Sequence, residues 1–206
     1  MYTALSASSH TLKSLLERQL IADAHLSTHF DPNGGGPMLV SLNTPQEMQE
    51  RDTEGVSVWL YRVVRDDQRL NVPPERVSET QIRHTPLPVR LHYLMTPIVN
   101  STGTVYGPEL EQTILGKILQ IFHDHPIQRG AALQADFAGT GVKLNTRLEP
   151  LSLEEITRVW DALDRSYQLS VSYEVTVVEI ESARQPQLVT PVTEVLPEYG
   201  VILGSE

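Results

Sequence analysis

"LSLEEITRVWDALDRSYQLSVSYEVTV", residues 151–177, runs from a helix signal straight into an alternating strand. Ser152 and Glu155 stand at the spacing of a capping box, in which each side chain accepts the other residue's backbone N–H, and Leu151 with Ile156 bracket it as a hydrophobic staple. The spacing therefore starts a helix at Ser152. Ile156, Val159, Trp160 and Leu163 share one face of it, leaving Asp161, Asp164 and Arg165 toward the other side and the end. Beyond it, Tyr167, Leu169, Val171, Tyr173, Val175 and Val177 alternate with Gln168, Ser170, Ser172, Glu174 and Thr176. Period two places one set on a packed face and the other in water or against a neighbour.

Asp161, Asp164 and Arg165 beside Trp160 raise the question of chemistry. Arg165 can pair with Asp161 across one helical turn, a surface interaction of about 0.3–0.5 kcal/mol. A paired-carboxylate enzyme needs a second acid across a cleft, and the sequence identifies none. The stretch reads as scaffold.

Working outward, Leu12, Leu15, Leu16 and Leu20 recur at helical spacing and predict a helix from about Ser8 to Leu26, ended by the loop "HFDPNGGGP". "PMLVSL" predicts a short buried strand, and Thr44 before Pro45 a capped helical turn. "GVSVWLYRVVRD" predicts a central strand. "LPVRLHYLMTPIV" predicts another, with Pro97 at an edge or bend. "YGPELEQTILGKILQIFHDHP" predicts a helix whose buried stripe is Leu110, Ile114, Ile118, Ile121 and Phe122. Residues 66–86 form a long excursion, and prolines 186, 191 and 197 suit an extended arm or edge strands. The fold class is α+β: a single mixed, mainly antiparallel sheet packed against two to three amphipathic helices, with the helices on one face. The expected division is a domain over 1–182 and a Pro-rich arm over 183–206.

The chain of 206 residues carries 16 Lys and Arg against 26 Asp and Glu, a net charge of -10, which disfavours nucleic acid as a partner. Cysteine is absent, so disulfides and thiolate chemistry are excluded, and a reducing compartment is compatible. With no apolar run of membrane-spanning length and no secretory signal pattern, the expectation is a soluble cytoplasmic protein without membrane contact.

Candidate chemistry is sparse. His25 and His29 in "HLSTH" have a metal-compatible spacing if one helix carries both, but no third ligand is indicated. His123, Asp124 and His125 in "FHDHP" gather titratable groups at a helix end, where cationic histidines favour the dipole without any further role. "DPNGGGP" lacks the Lys-Ser or Lys-Thr of a phosphate cradle, and "GVSVW" lacks the serine elbow. No catalytic, cofactor-binding or metal-ligating residue is assigned.

The blocks "GVSVWLYRVVRDDQRLN", "PLPVRLHYLMTPIV", "ELEQTILGKILQIFHDHPI" and "RLEPLSLEEITRVWDALDRSYQLSVSYEVTVVEIES", in this order and after "TLKSLLERQL", resemble the tube-cap or tail-terminator family of extracellular contractile injection systems. The likeness covers about residues 8–182, and its last block is the most specific. It implies a non-enzymatic assembly protein, without cofactors, that forms a homo-oligomeric, six-fold ring. Its partners would be the inner tube protein and the sheath protein, with assembly in the cytoplasm and residence in the released particle. Residues 66–86 and 186–206 are expected to make subunit or sheath contacts. The alternatives are a metal-assisted hydrolase using His123 and His125, or a monomeric binding module.

Overall fold

Leu87–Ile98 is buried at nearly every position on both faces, which requires neighbours on both edges and cover above and below. The computed structural model, which describes residues 2–69, 73–100 and 107–190, supplies all four. In chain order the elements are α1 (Ala4–Ile21), α2 (Ser27–Phe30), β1 (Leu39–Ser41), α3 (Pro45–Glu50), β2 (Gly55–Arg65), β3 (Arg76–Ser78), β4 (Gln81–Ile82), β5 (Leu87–Ile98), α4 (Gly107–Asp124), β6 (Ile127–Arg129), β7 (Lys143–Glu149), α5 (Leu153–Asp161), β8 (Val171–Ile180) and β9 (Gln187–Leu188).

Six strands form one sheet in the order β1-β2-β5-β8-β7-β6, and only the β1–β2 pair is parallel. The mixed, mainly antiparallel α+β expectation holds. Pro97 pairs with Val56 on β2, while the β8 ladder ends at Met95 opposite Val171. Pro97 thus lies beyond the last β8 pair, where a missing N–H costs no ladder bond. Gly55 has φ 134°, and a Cβ there would stand 1.9 Å from the Leu39 carbonyl oxygen, so the parallel approach of β1 to β2 requires glycine.

The helices do not share one face. Leu12, Leu16, Leu20, Ile114, Ile118 and Phe122 from α1 and α4 pack with Leu91, Tyr93, Met95, Tyr173 and Val175. Ile156, Trp160 and Leu163, on and just after α5, cover Leu94 on the opposite face with Trp59 and Tyr61 around it. The expectation of helices on one side fails because β5 is apolar at consecutive positions. Leu94 needs cover as much as Tyr93 does, and a one-sided layer would leave it in water.

Capping boxes form at Thr44–Glu47 and Ser152–Glu155, and Leu151 joins the Ile156 cluster as the staple requires. The first helix starts and stops earlier than expected. Asp23 accepts N–H bonds from His25 and Leu26 through Oδ1 and an ion pair from Lys117 Nζ at 2.9 Å through Oδ2. That carboxylate turns the chain out of α1 and pins the turn to α4. Ser9 Oγ meets Tyr93 Oη at 2.9 Å, so a polar residue on the buried face of α1 is satisfied by the sheet beneath it.

The 66–86 excursion carries its own structure, a three-stranded sheet in the order β3-β4-β9. Gln187 and Leu188 from the start of the expected arm pair with Ile82 and Gln81, so the two segments meet each other. Residues 191–206, including Pro191 and Pro197, lie outside the described residues.

Trp160 is 1% exposed and donates Nε1–H to Ser170 Oγ at 3.1 Å. Trp160→Ala is expected to lower the unfolding free energy by about 3–5 kcal/mol, through lost transfer energy and an unfilled cavity, measured by urea titration. The Lys117 bond and the two backbone bonds, working against burial, lower the Asp23 pKa from 3.8 to about 2. A depressed carboxylate contributes stability above its unfolded pKa and loses it as pH falls through the folded one. Asp23→Asn is therefore expected to destabilise at neutral pH and to flatten the stability curve between pH 4 and 2, read from melts across that range.

Candidate functional site

The sequence candidates do not converge. His25 lies in the turn after α1 and His29 in α2, so no single helix carries both. His123 and Asp124 close α4, with His125 following it, and all three are exposed. The His125 N–H bonds the Ile121 carbonyl and its own carbonyl accepts from Gln128 Nε2, which makes the segment a helix stop. His123 borders an open cleft of about 720 Å³ whose walls include Leu119, Phe122, Leu148 and Tyr173. This is an apolar surface rather than a titratable cluster.

Asp31, ahead of the glycines, accepts the Asn33 N–H through its side chain and sets a tight turn over Pro32–Gly34. Asp164 stands at φ 51°, past the end of α5. Arg165 pairs with Glu50 of α3 at 3.3 Å instead of with Asp161. The helix ends before the expected i, i+4 pair can form, so Arg165 is directed to another element. The "WDALDR" stretch ties α5 to the sheet through Trp160 and to α3 through Arg165.

The densest polar cluster is one that no local motif announces. Register places His92 of β5 opposite Glu174 of β8, and Glu174 opposite Arg147 of β7. Glu149 receives His92 Nδ1 at 3.0 Å, Ser172 Oγ at 2.7 Å and Tyr61 Oη at 3.2 Å. A break in the β2–β5 register between Leu60 and Arg62 accompanies the placement of Tyr61 in this network. Glu174 is flanked by Arg147 at 3.2 Å and Arg90 at 3.9 Å, and Arg90 also grips Asp66 at 2.8 Å.

Burial pushes the Glu149 carboxyl upward, but the bonds from His92, Ser172 and Tyr61 outweigh it and hold the group below its ordinary value. The hydrogen bond from Arg90 lowers Asp66 and raises Arg90 in turn, while burial raises Tyr61. His92, Glu149 and Glu174 bring ligand atoms within 4.8 Å of one another, the one such grouping of three among the described residues. The donor set nevertheless suits an internal network better than a cation. A metal on Glu174 would compete with both guanidinium groups, and one on Glu149 with three donors already in place.

This cluster explains why the second face of β8 is not wet. Ser170, Ser172 and Glu174 are all buried. The sequence reading allowed a paired alternative for these positions, and the structure takes it. His92, Glu149 and Glu174 are too far apart in sequence for a spacing motif, so sheet register alone reveals them.

The chain belongs to the Pvc16 N-terminal domain family, which it matches over residues 8–194. Among solved structures, it is similar to a sheath/tube terminator, in the extended state, of the PVC extracellular contractile injection system. The two share 18% identity and a TM-score of 0.60, over 97% of this chain and 65% of that one. It is also similar to the tube-terminating cap of the anti-feeding prophage, at 17% identity and a TM-score of 0.58, over 97% of this chain and 61% of that one. The chain thus spans less than two thirds of the length of either structure. No curated protein matches it. Among the described residues, no helix is long and apolar enough to cross a membrane.

Glu149→Gln removes the charge that organises His92, Ser172 and Tyr61. The expected cost is about 1–3 kcal/mol at neutral pH, the usual range for an impaired buried hydrogen-bond group. Because a depressed carboxylate stabilises above its unfolded pKa, the loss should shrink as pH falls through the acidic range. Denaturant titrations of both chains at neutral and acid pH measure it.

Proposed function

We propose that this chain is a structural cap of a contractile injection particle: it forms a ring on the end of the inner tube, stops tube growth and meets the last sheath layer. One observation carries the reading, namely that 97% of the chain follows the fold of a sheath/tube terminator and that its family match spans nearly the same residues. The role needs surface complementarity rather than bond chemistry. Scattered histidines and a carboxylate cluster occupied by its own cations fit that requirement, and the chain acts without catalysis.

A closed ring requires a head-to-tail contact between unlike surfaces of neighbouring subunits, with further surfaces left for tube and sheath. We assign residues 1–182 to the ring-forming body and 183–206 to an arm engaged in subunit or sheath contacts, with 66–86 beside it. The pairing of β9 with β4 supports treating the excursion and the base of the arm as one contact region. Assembly takes place in the cytoplasm, before the particle is released.

Six chains of 23.0 kDa give about 138 kDa, the native mass expected from light scattering as protein concentration is raised. Co-expression with the inner tube protein is expected to give tubes of limited length bearing the chain at one end, counted in electron micrographs. Tubes whose length distribution is the same with and without this chain would refute the cap reading.

A further inference from the structure

The sheet has two dissimilar margins. At one, β6 and β7 present Ile127, Arg129, Lys143, Asn145 and Arg147, all exposed. Leu144 and Thr146, at the alternate positions of β7, are buried. Helix α5 covers β5 and the adjoining aromatic residues of β2 on that side, its cluster includes no residue of β6 or β7, and Lys143 and Asn145 line an open cleft with Arg69, Phe137, Glu179 and Glu181. Ile127 alone is 51% exposed.

Arg129 and Lys143 stand directly opposite each other across β6–β7, and neither enters an ion pair within the described residues. Like charges at facing positions destabilise a strand pair. In a chain of net charge -10, this cross-strand pair of cations, beside an Arg147 already paired with Glu174, is an arrangement that an incoming anion would relieve.

At the other margin of the sheet the charge is reversed. Glu47, Glu50 and Asp52 are exposed and Glu54 half-buried, all on α3 or between it and β2, with Arg51 the one cation in that run and Arg165 paired with Glu50 from outside it. The Glu54 carbonyl accepts the Leu39 N–H, which fixes this acidic stretch beside β1. Leu39 on that outermost strand is 44% exposed, giving this margin an apolar residue to set against Ile127.

We propose that the exposed β6–β7 face of one subunit receives the acidic β1–α3 end of a second copy of this chain. The inference rests on the ring reading and supplies its head-to-tail contact. Opposite margins of one sheet carry opposite charge, so each copy offers both halves and the contact repeats around the ring. Arg129 and Lys143 lie against the carboxylates of Glu50 and Asp52, and Ile127 against the exposed edge of β1.

Charge exchange tests the contact. Arg129→Glu with Lys143→Glu reverses the basic face, and Glu50→Lys with Asp52→Asn removes the negative excess of the acidic end and places a cation at position 50. Asn at position 52 keeps an acceptor for Asn100 and tolerates the left-handed backbone found there. Light scattering at low salt should show the wild type associating and each variant alone at least ~10-fold weaker, as expected for like-charge juxtaposition. An equimolar mixture of the two variants should recover association, because each then meets a complementary neighbour.

A basic-face variant that associates as well as the wild type overturns this contact and leaves the ring reading standing. Association that survives both pairs of substitutions, but is lost when residues 191–206 are removed, assigns the face to the C-terminal segment and also overturns the contact. A wild-type chain that stays monomeric at every concentration, alone and with the tube protein, overturns the ring reading and this contact with it.

Discussion

Strand β5 must be satisfied on four sides at once. Its edges pair with β2 and β8, and its two faces carry Tyr93 and Leu94 at consecutive positions, both fully buried. Burying a large apolar side chain is worth about 1.5–3 kcal/mol, so neither face can be left to solvent without losing a substantial part of a domain's net stability. The α1–α4 layer answers one face and α5 the other. The early capping box at Ser152 matters for this reason: it starts α5 where Ile156, Trp160 and Leu163 fall over Leu94.

The α5 side of the sheet is where packing and electrostatics have to be solved together. The helix is nine residues long and covers only part of that face, so neighbouring positions are filled by polar groups instead. Tyr61, His92, Glu149, Ser172 and Glu174 close the space with hydrogen bonds, and Arg147 and Arg90 bring the balancing charge. Each buried carboxylate has its partners, which is the condition for placing such groups inside a fold. Those partners suit a structural role, with Arg90 Nε a buried atom of the cluster that has no hydrogen-bond partner among the described residues.

Further out, at β6 and β7, the helical cover ends and the side chains change to arginine and lysine. A sheet with a basic margin and an acidic one is polar along its strand order, which is the charge pattern that the proposed head-to-tail contact uses. In the small β3-β4-β9 sheet, backbone pairing joins the 66–86 excursion to the start of the C-terminal segment.

Local chemistry made much of this fold legible from the chain. Capping residues at Thr44 and Ser152, helical spacing in "TLKSLLERQL" and "ELEQTILGKILQIF", and the β-rich runs of β2, β5 and β8 act over a few residues, so the sequence by itself determined which elements form and which of their positions are apolar. Tertiary structure alone decided that α5 lies across the sheet from α1 and α4, that Arg165 reaches Glu50, and that His92, Glu149 and Glu174 meet. It also decided that the cations Arg129 and Lys143 face each other at the margin opposite Glu50 and Asp52. The physical reason is range: caps and periodicity are settled within one or two turns of chain, whereas strand order and register bring together residues dozens of positions apart, and no local spacing encodes that pairing.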